Sequence, residues 1–214
     1  MSERRQAAAT RRRRATETEI VTAATELFLR EGYAGTSMSA VAAAADVSER
    51  TMYVRFGTKV RLFQRVVEVG IVGDVDATPM TEREWSVRAL TAPTLVQRIE
   101  AFADGVAEMH ERLGPLMAVN SEAEGSEPEV RTSAQQWRMA THAYLDRFWS
   151  AMAEAELLPA TADVPWLVDT STVLTAAESR LLIQRTLSWD REQVRSWLSQ
   201  TLLRLAEASA FPLT

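Results

Sequence analysis

Apolar residues recur along this chain at intervals of three and four positions, which is the period of an α-helix. The first such stripe follows Thr16, which together with Glu19 has the spacing of an N-terminal capping box. Gly32 is placed to end this helix with a left-handed residue. No stretch reads convincingly as a strand, so the pattern predicts an all-α fold. The apolar members of the first stripe are Ile20, Ala23, Ala24, Leu27 and Phe28.

Two short helices separated by a tight turn are predicted between residues 36 and 59. Ser37 can cap the first helix and Ser48 the second, because a hydroxyl oxygen can accept hydrogen bonds from free backbone amides. Val47 and Met52 have the spacing of a hydrophobic staple, which fixes the angle at which the second helix leaves the turn. Two short helices at a steep angle leave the second free to enter a DNA major groove, so this segment predicts a helix-turn-helix.

The rest of the chain continues the helical period, interrupted by a polar loop over residues 74–79. The residues able to cap the later helices are Thr58, Ser126 with Glu129, Asp163, and Asp190 with Gln193. The helices that begin after Thr58, Ser126 and Asp163 are predicted to run to about Val72, Leu158 and Leu187, respectively.

Charge is divided unevenly along the chain. The net charge of the 214 residues is −5, but residues 1–65 carry +5 and residues 66–214 carry −10. A basic head and an acidic body suggest that only the head meets phosphates. The absence of cysteine excludes disulfides, thiolate chemistry and zinc fingers. Because no apolar run is long enough for a membrane span and no signal peptide is visible, we expect a soluble, cytoplasmic protein with no membrane partner.

The first 14 residues are polar and end in four consecutive arginines, which include Arg13 and Arg14. Such a charge run is typical of a solvated, disordered tail. Beside a helix-turn-helix it is about equally typical of an arm that enters the DNA minor groove. The second interpretation makes Arg13 and Arg14 DNA-binding residues.

An unbroken signature extends through the helix-turn-helix. It consists of Ala23-Ala24-x-x-Leu27-Phe28 with Gly32-Tyr33, then Thr36-Ser37, Val41-Ala42, Val47-Ser48, and Met52-Tyr53-x-x-Phe56-x-x-Lys59. This signature resembles that of the TetR family of one-component transcriptional regulators. The segment Ser188-Trp189-x-x-Glu192-Gln193-x-x-x-Trp197-Leu198 also resembles the last two helices of one branch of that family.

The resemblance implies a three-helix DNA-binding head on an all-helical ligand-binding body, working as a homodimer. We accordingly expect a disordered basic arm over residues 1–14, a helix-turn-helix domain over 15–62, and an effector-binding and dimerisation domain over 63–214. The implied function is that of a repressor, released from pseudo-palindromic, double-stranded operator DNA by a small and largely apolar effector. No cofactor is expected.

The departures from the TetR pattern lie in the turn and the second short helix. Asp46 stands where the family usually has glycine, and aspartate tolerates a left-handed backbone better than most residues. Arg50 replaces a small residue, and Val54 and Arg55 stand where tyrosine and histidine are frequent. These changes preserve the docking mode but leave the operator sequence open.

Two residues of the second short helix are predicted to read bases. Arg50 can bond the O6 and N7 atoms of guanine together, and Thr51 can contact a thymine methyl group or a base edge. For Arg50 the alternative is a plain phosphate contact. For Tyr53 the alternative is a buried ring, and for Lys59 it is a solvated side chain. The residues expected to contact phosphates are Ser37, Ser48, Tyr53, Arg55 and Lys59.

The helices between residues 95 and 158 are rich in aromatic residues and methionine, with a few polar groups. An apolar small-molecule pocket requires this composition, and so does any helical core. We predict that His110, Met117 and Trp137 face a ligand. His110 and His142 are not spaced as metal ligands.

Two apolar stripes near the C-terminus are predicted to form the dimer interface. Taken alone, such stripes are more often intrachain core. Two consecutive terminal helices of this kind nevertheless match the four-helix dimer bundle of the TetR family, which implies a two-fold symmetric interface. Leu182 and Leu205 also belong to these stripes. The residues assigned to the interface are Val173, Leu174, Ala177, Leu181, Val194, Trp197, Leu198, Thr201 and Leu202.

Nothing in the sequence assembles into a catalytic group. There is no cysteine, the two histidines are far apart, and no glycine-rich phosphate loop is present. We therefore predict that the chain is not an enzyme. A helical ligand-binding or protein-interaction module without specific DNA binding is the second interpretation, against which the basic arm and the intact caps argue.

Overall fold

The computed structural model describes residues 2–76 and 78–209. Over these residues it contains ten α-helices, one 3₁₀ helix and no strand, which confirms the predicted all-α fold. The α-helices are α1 (Ser2–Gly35), α2 (Met38–Ala44), α3 (Glu49–Phe56), α4 (Lys59–Val72), α5 (Glu84–Thr91), α6 (Leu95–Ser126), α7 (Pro128–Glu154), α8 (Val164–Thr175), α9 (Ala177–Leu187) and α10 (Arg191–Ala208). The 3₁₀ helix, Met80–Glu82, precedes α5.

The chain divides into two compact units. The first comprises Met1–Ala77 and Pro115–Ala134, and the second comprises Thr78–Gly114 and Gln135–Thr214. This division crosses α6 and α7 and does not follow the predicted boundary between residues 62 and 63. Within the first unit, the side-chain amide of Gln64 donates a 2.6 Å hydrogen bond to the Ser133 hydroxyl, which ties α4 to α7.

The core of the first unit is built on the predicted stripe of α1, all five members of which are buried. Phe28 of this stripe packs edge-on against Phe63 of α4 with ring centroids 4.9 Å apart. Tyr33 stacks on Phe28 at 5.9 Å and meets Phe63 edge-on at 5.3 Å. Three mutually packed rings therefore join the end of α1 to α4.

Helix α1 begins at Ser2 and not at Thr16, so the structure contradicts both the predicted capping box and the predicted disordered arm. Residues 4–14 are helical and exposed, whereas Met1 lies outside the described residues. Alanine and arginine are good helix formers, and the Thr16 hydroxyl donates a 3.0 Å hydrogen bond to the Arg12 carbonyl inside the helix. Gly32 has the expected positive φ of 72°, but helical structure resumes after this kink.

The core of the second unit surrounds Trp149, which is fully buried on α7. Its indole nitrogen donates a 2.9 Å hydrogen bond to the Ser171 hydroxyl, which in turn donates to the Leu167 carbonyl of α8. A buried indole with its donor satisfied contributes apolar area without an unpaired polar atom. The other large members of this core are Ile99, Phe102, Leu145, Phe148, Met152, Leu167, Leu198 and Leu202.

One of the predicted helix starts in the body is wrong. Ser126 is the last residue of α6, with its hydroxyl donating to the Ala123 carbonyl, so the predicted capping box with Glu129 is wrong. Helix α7 begins instead at Pro128, because proline at the first position of a helix has no amide to satisfy.

The predicted caps of the last helices are confirmed. Asp163 accepts a hydrogen bond from the Trp166 amide, and Asp190 forms a full capping box with Gln193. The single helix expected to extend to Leu187 is broken, however, because Ala176 takes an extended conformation with ψ of 145°. The segment from Val164 to Leu187 therefore forms two helices, α8 and α9.

Candidate nucleic-acid interface

The two N-terminal caps of the helix-turn-helix are formed as predicted. The Ser37 hydroxyl accepts a 3.1 Å hydrogen bond from the Ala40 amide, and the Ser48 hydroxyl accepts one of the same length from the Thr51 amide. Asp46 has φ of 51° and supplies the left-handed residue of the turn. These contacts determine where α2 and α3 begin and how the chain passes from one to the other.

Helix α3 has one buried face and one exposed face. Met52 and Phe56 are buried, whereas Arg50 is exposed and Val54 is 77% exposed. Since helical residues are about 100° apart, Arg50 and Val54 lie within about 40° of each other at the centre of the exposed face. This is the face that a major groove would receive.

Sequence reasoning did not assign Val54 to DNA recognition. Its position four residues after Arg50, on the face opposite Met52 and Phe56, was a usable signal. An exposed valine at the centre of this face can contact a thymine methyl group. Thr51, by contrast, is half-buried, and its hydroxyl lies 2.8 Å from that of Ser48, so it is engaged within the cap.

Tyr53 and Arg55 lie on opposite sides of the centre formed by Arg50 and Val54. The Tyr53 ring is 53% exposed, which excludes the alternative of a buried ring. Arg55 has a side chain only 16% exposed, and its guanidinium lies 3.8 Å from the Glu17 carboxylate of α1. The exposed face of α3 therefore has a polar side chain on each flank.

Lys59 is not a solvated lysine. Its amine donates a 3.0 Å hydrogen bond to the Tyr33 carbonyl and is half-buried. Thr58 caps α4 beside it, accepting a hydrogen bond from the Arg61 amide. Lys59 thus holds the end of α1 against the start of α4.

The arginines predicted to bind DNA from the N-terminal arm lie on a helix. Arg14 forms a 2.8 Å ion pair with Asp76, in which both side chains are about half exposed, and Arg13 is exposed. A helix about 10–12 Å wide does not fit a minor groove about 6 Å wide, so the minor-groove alternative does not suit this conformation.

The three predicted ligand residues do not share a unit. Met117 is buried in the first unit, whereas His110 and Trp137 belong to the second, where Trp137 is half-buried. His110 is 4% exposed, and its Nε2 lies 3.1 Å from the Thr175 carbonyl oxygen.

The surroundings of His110 keep its ring neutral. Burial lowers the pKa of His110 to about 4, with a smaller lowering by the charge of Arg180, against the hydrogen bond to Thr175. Because the Thr175 carbonyl can only accept, Nε2 carries the proton. Nδ1 is then a buried acceptor, without a hydrogen-bond partner among the described residues.

The predicted dimer residues separate into two groups. Val194, Leu198 and Leu202 are at most 2% exposed, so the structure contradicts their place in an interface. They recur every four positions along α10, and Leu198 and Leu202 belong to the core of their own unit. Val173 is 67% exposed, as is Leu182. The remaining predicted residues, all half-buried, are Leu174, Ala177, Leu181, Trp197 and Thr201.

Two further features bear on the class of protein. Within residues 2–76 and 78–209, no three His, Asp or Glu side chains are grouped so that they could hold a metal ion. Over the same residues, every helix is too short or too polar to cross a membrane.

Residues 20–66 match the sequence model of the bacterial regulatory proteins of the tetR family. No curated protein matches the sequence. Similar solved structures cover nearly the whole chain. A protein of Mesorhizobium loti assigned to the TetR-family transcriptional regulators has a TM-score of 0.68 at 18% identity, over 91% of this chain and 96% of that one.

Two named regulators are similar in the same way. The fatty acid degradation regulator FadR from Bacillus halodurans has a TM-score of 0.67 at 16% identity, over 88% of this chain and 94% of its own. NalD of Pseudomonas aeruginosa, the secondary repressor of the MexAB-OprM multidrug efflux pump, has a TM-score of 0.62 at 19% identity, over 89% and 95%. Residues 20–66 therefore match the tetR-family model, and the chain as a whole has the fold of these solved TetR-family transcriptional regulators.

Proposed function

We propose that this chain is a homodimeric, ligand-responsive transcription regulator that binds operator DNA in a sequence-specific manner. The exposed face of α3 is the observation that carries this proposal. Arg50 and Val54 form its centre. The serine caps of α2 and α3, Ser37 and Ser48, hold the helix in place. Arginine can recognise guanine and valine a thymine methyl group, so the face carries sequence information and not charge alone.

The dimer is supported by apolar side chains that one subunit leaves uncovered. Val173 and Leu182 are each 67% exposed and Leu187 is 50% exposed, on neighbouring helices α8 and α9. Exposed apolar side chains that adjoin one another are typical of an association surface. A two-fold dimer with recognition helices about 34–36 Å apart would read a pseudo-palindrome.

The response to a ligand is proposed for the helical body. We propose that a small and largely apolar effector binds among the aromatic and aliphatic side chains of the second unit, with His110 as a polar contact. NalD, which shares the fold, is described as a repressor, and FadR as a regulator of fatty acid degradation. We propose that this chain likewise represses, and that effector binding releases the operator by favouring a state with lower DNA affinity. We propose no catalytic step for this chain.

The test is the selection of bound sequences from a random DNA pool by the purified full chain at near-physiological salt. Enrichment of a pseudo-palindrome supports a dimeric sequence-specific regulator, and an Arg50→Ala variant should then enrich a more degenerate motif. Binding that depends on salt but enriches no sequence would overturn the proposal. It would favour a ligand-binding module without specific DNA recognition.

A further inference from the structure

An open cleft of about 320 Å³ lies in the first unit, among α1, α3 and α4. Four arginines line it, two of which, Arg61 and Arg65, were not among the predicted DNA-binding residues. The charged side chains of the cleft are Arg13 and Glu17 from α1, Arg55 from α3, and Arg61, Arg65 and Glu68 from α4. Arginines outnumber carboxylates here by two, which favours an anionic ligand.

The ion pairs within the cleft leave two of the guanidinium groups unused. Glu17 accepts a 2.8 Å hydrogen bond from Arg65 and lies 3.8 Å from Arg55. Arg65 also lies 3.4 Å from Glu68 and donates to the Val75 carbonyl, so each of its three guanidinium nitrogens has a partner.

Arg13 and Arg61 are both exposed, and their guanidinium groups have no ion pair among the described residues. Two free guanidinium groups at one cleft are suited to a phosphate, which they can bind with paired hydrogen bonds.

The position of Arg55 relates this cleft to the recognition helix. Arg55 lies on one flank of the exposed face centred on Arg50 and Val54, and Tyr53 lies on the other. A helix seated in a major groove about 12 Å wide has its flanks towards the phosphates of the two strands. The cleft beside Arg55 therefore faces one strand when Arg50 and Val54 face the bases.

We infer that the cleft binds a backbone phosphate of the DNA strand on the Arg55 side, with Arg13 and Arg61 as its ligands. Glu17 holds Arg55 and Arg65 back from this phosphate and leaves the site to the two free arginines. The contact orients the head without reading sequence. The inference rests on the proposed function, because it assumes that α3 enters the major groove.

The experiment compares the salt dependence of DNA binding by the full chain and by an Arg13→Ala/Arg61→Ala variant. A dimer of the variant loses two phosphate contacts, so the slope of log K against log salt should become shallower by about 1.8. The order of preference among operator variants should stay unchanged. Arg204→Ala, an exposed arginine on α10, is the matched control and should leave the slope as it is.

Phosphate ethylation interference provides a second readout. One phosphate per half-site should interfere with binding of the normal chain and cease to interfere with the double variant. Thermal melting should be the same for both, since neither guanidinium has an ion pair to lose. An unchanged slope with an unchanged interference pattern would overturn the inference.

Competition with pyrophosphate distinguishes a site for a free anion. If the double variant loses pyrophosphate binding while its DNA salt slope stays unchanged, the cleft is not a DNA contact and the inference fails. The proposed function is judged separately, by sequence enrichment with the normal chain. The salt slope can be measured on DNA of any sequence. The phosphate contact and the sequence-specific function can therefore fail independently of each other.

Discussion

The amine of Lys59 donates a 3.0 Å hydrogen bond to the carbonyl of Tyr33 and lies 4.3 Å from the centroid of the Tyr33 ring. The carbonyl belongs to the end of α1, just past the kink at Gly32. The ring is itself packed between Phe28 and Phe63. One lysine thus satisfies a helix-end acceptor and makes a cation–π contact while it joins α4 to α1.

Lys59→Met should therefore lower the free energy of unfolding, by about 1–2 kcal/mol. Methionine keeps most of the apolar stem but removes the donor and the charge. Urea unfolding of the full chain measures the change. Arg61→Met is the control. It changes an exposed side chain two positions later and should leave the free energy of unfolding unchanged. Equal stability of the two variants would mean that Lys59 has no structural role and is left to phosphate contact alone.

Arg50→Ala should relax base preference at one position of each half-site. A bidentate arginine–guanine contact contributes about 1–3 kcal/mol of discrimination, because the wrong base leaves the guanidinium unpaired. Affinities for a panel of single-base operator variants at constant salt measure this effect. Loss of affinity by the same factor on every sequence would show that Arg50 contacts only a phosphate.

Leu198 and Leu182 should respond to substitution in opposite ways. Leu198 is 1% exposed in the core, so Leu198→Ala should cost about 2–5 kcal/mol of stability through the cavity it leaves. Leu182 is 67% exposed, so Leu182→Glu should leave the fold intact and weaken the dimer, because a charge would be buried at the interface.

Sedimentation equilibrium gives the association constant of each variant, and urea unfolding of the dissociated chain gives the stability. A dimer unaffected by Leu182→Glu would exclude this part of α9 from the interface.

The glycines at positions 105 and 114 of α6 should also differ. A Cβ at Gly105 would collide with the indole ring of Trp85, whereas one at Gly114 would meet nothing within 4 Å. Gly105→Ala should destabilise the second unit by about 1–3 kcal/mol, as overpacking does. Gly114→Ala should be neutral or stabilise by up to about 1 kcal/mol, since alanine has the higher helix propensity. Thermal unfolding of both variants tests the packing of Trp85 on α6, which equal melting temperatures would contradict.

The buried His110 should make the protein less stable in mild acid. Its pKa is about 4 in the folded chain, against an ordinary value of 6.5, so the unfolded chain binds the proton more readily. Its contribution is fully present above pH 6.5 and is lost as the pH falls towards 4. Between pH 7 and pH 5 the loss is about 2 kcal/mol.

His110→Gln retains a donor for the Thr175 carbonyl but does not titrate. Urea unfolding of this variant should show a stability difference between the two pH values that is smaller by about this amount. The same pH dependence in both chains would show that His110 is not held neutral.

The helix-turn-helix was predictable because its determinants are local. Ser37 and Ser48 cap helices through amides three positions away, and Asp46 needs only its own backbone to take a positive φ. The apolar stripe from Ile20 to Phe28 was equally predictable, because a helix with one buried face shows a single hydrophobic period.

The predictions that failed depended on neighbours distant in sequence. Leu198 and Val173 both lie on apolar stripes near the C-terminus, yet one is in the core and the other is exposed. An apolar stripe shows that a surface is covered, but not whether its own chain or a second copy covers it. Lys59 was similarly ambiguous until Tyr33, twenty-six positions away, was seen to be its partner.

Local periodicity, capping residues and charge distribution thus determined an all-helical chain with a basic head that carries a helix-turn-helix. Packing between remote segments determined the rest. It placed Pro115–Ala134 in the same unit as the head, gathered Arg13, Arg55 and Arg61 at one cleft, and turned Val54 outward and Leu198 inward. Helix formation depends on residues three or four positions apart, whereas burial and side-chain proximity depend on contacts between segments that are far apart along the chain.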